Sequence, residues 1–156
     1  MILFKETQNM TQWWIWAILL GTTGIVLWDI VYNAIAKTMS MAEFLQNPES
    51  WISALVLIVV LIFFYLLTLK TEVSPEGIYI NYFPMWRTKI PWEQIASAEI
   101  IQYGFVGYGI RLSFRYGTVY NAKGNQGLQI VKKNGSKILI GTQRPHELRA
   151  AVEKFL

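Results

Sequence analysis

Trp13 to Ala36 reads WWIWAILLGTTGIVLWDIVYNAIA, and this stretch decides the class of the protein. It carries one charge in 24 residues. As a helix it extends about 36 Å, more than the ~30 Å hydrocarbon core of a bilayer. A second apolar run, WISALVLIVVLIFFYLLTL from Trp51 to Leu69, has no charge in 19 residues and is closed by Lys70. Peptide groups without hydrogen-bond partners are costly in lipid, so both runs are expected to be helical despite their β-branched residues. The expected anchor is a hairpin of two membrane helices, spanning about 13–36 and 51–69. A weak basic flank, the length of the first run and the lack of a small-x-small site argue against a removable signal peptide. Trp13, Trp14, Trp16 and Trp51 stand at run ends, where indoles anchor at headgroups.

The composition of the whole chain agrees. Of 156 residues, 53% are hydrophobic and 15% charged, with a mean hydropathy of +0.31; an average soluble domain has roughly 25% charged residues. There is no cysteine, which excludes disulfides, thiol nucleophiles and cysteine-ligated metals. His146 is the sole histidine, and Glu72, Glu76, Glu93, Glu99, Glu147 and Glu153 show no spacing that suits an acid/base pair. No catalytic residue, metal site or cofactor is therefore expected, and the protein is expected not to be an enzyme.

Between the runs, Ser40 with Glu43 three residues later is a capping box, and Asn47-Pro48-Glu49 is a second helix start. This connection holds Lys37 against Glu43 and Glu49, whereas the other run ends carry Lys5, Lys70, Arg87 and Lys89. The positive-inside rule then places both termini of a multi-pass protein in the cytoplasm. Asp29 is the one charged residue within the spans, on a helical face with Thr22, Ile25, Tyr32 and Asn33. About 24 Å along the helix from Trp13, it lies close to the far headgroups, where it snorkels or meets Ser53. The competing reading makes Asp29 an ion or proton site in an accessory subunit of a transport complex.

Beyond Leu69 the pattern changes. Residues 71–156 hold eleven Lys/Arg and six Asp/Glu and alternate in the manner of strands. Ser74-Pro75-Glu76-Gly77 is a turn ahead of IYINYF. Asn134-Gly135 predicts a two-residue hairpin turn that sets Lys132 opposite Lys137, with Lys133 alongside. Pro145 to Leu156 predicts a terminal helix with Leu148, Val152 and Phe155 on its apolar stripe. The expected fold class is α+β: an anchor over residues 1–70, then a soluble domain over 71–156 of antiparallel strands capped by one helix.

Three stretches, GYGIR at Gly107–Arg111, VYNAKGNQGLQI at Val119–Ile130 and KILIGTQRPHEL at Lys137–Leu148, resemble the core of bacterial PH-like (pleckstrin-homology-type) domains attached to two-helix membrane anchors. From first to last they span residues 107–148, about half of the soluble domain. The resemblance implies a PH-like antiparallel barrel or sandwich at the cytoplasmic face of a bacterial inner membrane. It also implies a non-catalytic interaction module that binds a protein partner or self-associates. Arg144 stands where many such domains carry a small acidic or polar residue ahead of the proline.

YGFVGYG, Tyr103 to Gly109, reads either as a glycine-kinked loop closing the barrel or as a partner-binding lip presenting Phe105 and Tyr108. Arg111 and Asn121 stand beside the glycines and supply hydrogen-bond donors, so they are the first candidates for a ligand groove. Gly107-x-Gly109 lacks the third glycine of a dinucleotide site and there is no GK[ST] loop, so no nucleotide is expected. Lys132, Lys133 and Lys137 form either a solvated hairpin or a contact with membrane lipids, which makes a sensor of anionic lipid the alternative function. The SPEG turn lacks the basic residues that flank the first hairpin of phosphoinositide-binding PH domains. No nucleic acid is expected, because membrane apposition accounts equally well for the surplus of basic residues.

Overall fold

The computed structural model describes residues 2–36, 40–46, 48–104 and 107–156. The chain divides into two compact units, Thr11–Leu66 and the combination of Met1–Met10 with Leu67–Leu156.

The first unit is helical: α1 (Trp13–Ala36), α2 (Met41–Gln46) and α3 (Pro48–Leu66). Trp13–Asn33 is long and apolar enough to cross a membrane. Its large side chains face outward, Trp13 at 79% and Trp28 at 73% exposure, as a lipid-facing helix requires. Thr22 and Thr23 turn their hydroxyls back onto carbonyls of the preceding turn, which satisfies them without water. The capping box forms as the sequence predicts: the Ser40 amide donates to Glu43 Oε2 (2.7 Å) and the Glu43 amide to Ser40 Oγ (3.3 Å). The bond from the Ser40 amide, seconded by the Ser40 side chain, holds the Glu43 carboxyl below its usual range. Lys37 and Asn47 lie outside the described residues, and Pro48 opens α3 as expected.

The expected pair of spans needs correction. Among the described residues only α1 has the length of a span; the apolar part of α3, Trp51–Leu66, is shorter. Its 16 residues reach about 24 Å, less than a ~30 Å core. The run extends to Leu69 in sequence because the helix passes directly into β2 (Thr68–Ser74), whose inward residues are also apolar. Leu67 (5% exposed) and Leu69 (0%) belong to the core of the β unit.

The β unit begins earlier than residue 71. Phe4–Asn9 forms β1, an edge strand antiparallel to β2, so this segment joins the sheets and not the helices. β2, β3 (Gly77–Phe83) and β4 (Trp86–Ile90) complete a sheet ordered β1-β2-β3-β4. The predicted SPEG turn joins β2 to β3, with Ser74 opposite Gly77. Gly77 has φ +135°, and a Cβ there would lie 2.3 Å from the Ile90 carbonyl oxygen, so only glycine fits.

The second sheet holds β5 (Ile95–Gln102), β6 (Gly109–Ser113), β7 (Gly117–Asn121), β8 (Gln126–Lys132) and β9 (Lys137–Gly141), in the order β5-β8-β9-β7-β6. All neighbours are antiparallel except β7 and β9, which run parallel. The expected barrel does not close. Pro91 and a 3-10 turn at Trp92–Gln94 separate β4 from β5, and the strands fall into two sheets whose edges are β1, β4, β5 and β6. The β8–β9 turn is also corrected: Val131, not Lys132, faces Lys137. The Lys132 amide donates to the Ser136 carbonyl (2.8 Å) and Gly135 takes φ +83°, giving a three-residue loop that moves the two lysines out of direct opposition.

The helix α4 (Pro145–Val152) opens on proline as predicted, buries Leu148, Ala151 and Val152, and contacts β1, β2, β5 and β8. Phe155 stacks on Trp92 at 4.8 Å. Ile78, Ile80, Ile90, Ile130 and Ile140 are fully buried, each contributing roughly 1.5–3 kcal/mol of transfer free energy.

Candidate functional site

The register of the first sheet sets out its two ends. The terminal row is Asn9, Thr68 and Phe83. Next come Gln8, Leu69, Tyr82 and Trp86, then Thr7, Lys70, Asn81 and Arg87. The chain passes to the helical unit after Met10 and returns at Leu67, so both passages lie at this end of the sheet. The β3–β4 turn is here too. Phe83, Met85 and Trp86 are 37%, 54% and 58% exposed around Pro84, which follows a cis peptide bond.

Lys70 and Arg87 flank Asn81 two residues behind Phe83, about 7 Å back along the strands, and alternation puts them on the same face as Phe83. Both are exposed, and among the described residues neither enters an ion pair, whereas Lys5 pairs with Glu72 (2.8 Å) and Lys89 with Glu76 (2.5 Å). Beneath them Tyr82 is 1% exposed, donates to Met10 Sδ (3.6 Å), and burial pushes its hydroxyl up to about 12.

The predicted lysine cluster gathers at the opposite end. The Lys133 amide donates to the Gln94 carbonyl (2.9 Å), and the Trp92 indole two residues earlier donates to the Ser74 carbonyl (2.9 Å). Ser74 ends β2, about 20 Å along the strand from Thr68. Lys132, Lys133 and Lys137 therefore flank the end of the sheet remote from both chain passages.

Of the predicted lip, Phe105 lies outside the described residues. Tyr108, Arg111 and Asn121 are brought together by bonds that fasten the loop: Arg111 Nε donates to the Tyr108 carbonyl (3.1 Å) and Asn121 Nδ2 to the Gly107 carbonyl (3.0 Å). Asn121 is 1% exposed, so its Nδ2 is spent on the fold while its buried Oδ1 has no hydrogen-bond partner among the described residues, and Arg111 stays exposed. Tyr103 covers core. It packs with Val119 and Leu139 and meets Tyr116 edge-on at 6.1 Å, and burial pushes its hydroxyl up to about 12. Its ring passes so close to Gly127 that a Cβ there would sit 3.0 Å from Tyr103 Cε1. In the helical unit, the carboxylate of Asp29 accepts from Asn33 Nδ2 (3.1 Å), one turn on along its own helix.

Glu6 escaped the sequence reading. It is buried in β1, where Oε2 accepts from the Thr142 hydroxyl (2.6 Å) and Oε1 from the Gln143 amide (2.8 Å); Gln8 Nε2 donates to the Gly141 carbonyl (2.8 Å). Arg144 replaces side-chain capping of α4 with other contacts: an ion pair to Glu147, a bond to the Lys5 carbonyl (3.1 Å), and a guanidinium 5.3 Å from the Phe4 ring centre. Together these stitch β1 to the segment leading into α4.

The outermost strand β6 carries a second exposed apolar pair, Leu112 (89%) and Phe114 on the turn that follows, lining an open groove with Ser136 and Lys137. Among the described residues no three of His, Asp and Glu gather as a metal site. No family model, curated protein or solved structure matches the chain.

Proposed function

We propose that this chain is a membrane-anchored, non-catalytic interaction module, with a PH-like β unit tethered to the cytoplasmic face of a bacterial inner membrane. The observation that carries this reading is the pairing of β1 with β2, which joins the two ends of the helical unit in one sheet row. A chain that leaves and rejoins a folded unit at one place crosses any intervening bilayer an even number of times. With α1 crossing, α3 makes the return. It contacts α1, and its apolar length of about 24 Å is accommodated by local thinning and by Trp51 at the headgroups. Lys5, Lys70, Arg87 and Lys89 all belong to the β unit, which the positive-inside rule assigns to the cytoplasm.

The interaction surface in this reading is the edge of β6. An edge strand with exposed Leu112 and Phe114 beside it accepts an extended segment of a protein partner or of a second copy as an added strand. Flotation with vesicles after an alkaline wash tests the tether, and a photoreactive residue at Leu112 tests the edge. The expected results are a chain that floats and a discrete crosslinked species. A chain that stays in the aqueous fraction without detergent contradicts the first, and no crosslink at Leu112 contradicts the second.

A further inference from the structure

We propose that the β3–β4 turn is a second, reversible membrane contact: Phe83, Met85 and Trp86 enter the headgroup and upper acyl layer while Lys70 and Arg87 meet the phosphates of anionic phospholipid. The proposal rests on the membrane reading above and adds a lipid-binding surface to it. Three observations converge on this surface. An apolar tip of three large side chains is exposed at one hairpin end, where Phe83 closes β3, Met85 lies in the turn and Trp86 opens β4. The register puts the tip in the row where the chain departs for, and returns from, its apolar helices. Two cations without carboxylate partners among the described residues stand about 7 Å behind Phe83 on the same face. That offset matches the 5–10 Å depth to which interfacial apolar groups sink below the charged layer. Tryptophan favours this same depth.

The lysine turn at Lys132–Lys137 has more charge but stands at the far end of the sheet, tied to Gln94 and, through Trp92, to Ser74. It is assigned no share in the contact.

The absence of native cysteine permits a clean test with the full chain in vesicles. An environment-sensitive fluorophore is placed on Met85→Cys, and separately on Asn134→Cys, with a collisional quencher carried on the lipid chains. In vesicles with anionic phospholipid, the label at 85 is expected to be blue-shifted and strongly quenched, and the label at 134 to report water. Lys70→Gln with Arg87→Gln, or neutral vesicles, is expected to lower the docking equilibrium about 30-fold, from about 1 kcal/mol per basic residue. Equal quenching at 85 and 134, or docking at 85 indifferent to lipid charge and to both substitutions, overturns the proposal. Flotation separates the two levels of failure: a chain that floats with residue 85 in water loses only the lipid contact, whereas a chain that does not float loses the membrane tether as well.

Discussion

At one end of the four-stranded sheet stand Asn9, Thr68 and Phe83, with an exposed apolar turn and two cations behind it; at the other stand Ser74 and Gly77, with the three lysines of the β8–β9 turn near by. The second end is the more basic, and charge alone would select it as the face toward lipid. The first end has what charge alone lacks: both chain passages and large apolar side chains that no strand covers. Register, and not local composition, decides which basic cluster shares a sheet end with the two chain passages. In the proposed lipid contact, phosphate attraction supplements the apolar tip.

The near end of the sheet depends on the boundary between α3 and β2. Leu69, fully buried in β2, is expected to cost about 2–5 kcal/mol on change to alanine, read from denaturant unfolding of the β unit in nanodiscs by near-UV circular dichroism. Leu66→Ala, at the end of α3 and 40% exposed, is expected to leave that unfolding nearly unchanged. Equal effects would return residues 67–69 to the helix and dissolve the near end of the sheet.

Each sheet holds a buried tyrosine whose titration reports on its packing. Tyr82, in the row beneath the apolar turn, and Tyr103, in the second sheet, have hydroxyls raised from 10.0 to about 12 by burial. The folded state keeps these protons where the unfolded state has lost them. The stabilisation is therefore full below pH 10 and lost as pH rises from 10 to 12, roughly 2–3 kcal/mol for each tyrosine. Tyr82→Phe and Tyr103→Phe are each expected to flatten stability measured between pH 9 and pH 12; an undiminished alkaline slope in both would show that neither ring is buried as described.

The smallest effect belongs to the far end. Exchanging Lys132, Lys133 and Lys137 together for glutamine is expected to change docking of a label at residue 85 by less than about twofold, since charges more than a Debye length of ~10 Å away are screened. A loss as large as that from Lys70 and Arg87 would put the lysines at the lipid and reverse the assignment of the two ends.

Much of this fold is legible in the sequence because its cues are local. A long stretch with one charge gives α1, Ser40 with Glu43 gives the cap of α2, Ser74-Pro75-Glu76-Gly77 gives its turn, and Pro145 with Leu148, Val152 and Phe155 gives α4. The parts that are not legible depend on distant partners. β1 has Glu6 and Gln8 facing inward, so its alternation looks polar until Gly141, Thr142 and Gln143, more than 130 residues away, supply the hydrogen bonds. Leu67 and Leu69 satisfy both an apolar helix and an alternating strand, and only pairing with β1 and β3 decides between them. The turn at Gly135 shifts register by one residue through its backbone conformation, which moved the predicted Lys132–Lys137 pairing. Of the candidate site residues, Arg111 and Asn121 bond to the backbone of Tyr108 and Gly107, and these bonds fasten a loop. Phe83, Met85 and Trp86 went unmarked because apolar residues after an alternating run read as more strand.

The proposed membrane topology is read from the sidedness of labelling. Single cysteines at Lys5→Cys, Ser40→Cys and Glu153→Cys, in intact cells or sealed vesicles, are treated with a membrane-impermeant thiol reagent. Residues 5 and 153 are expected to react from one side of the membrane and residue 40 from the other, as the proposed two crossings between a paired β1 and β2 require. Residues 5 and 153 on opposite sides, or residue 40 on the same side as both, would contradict it.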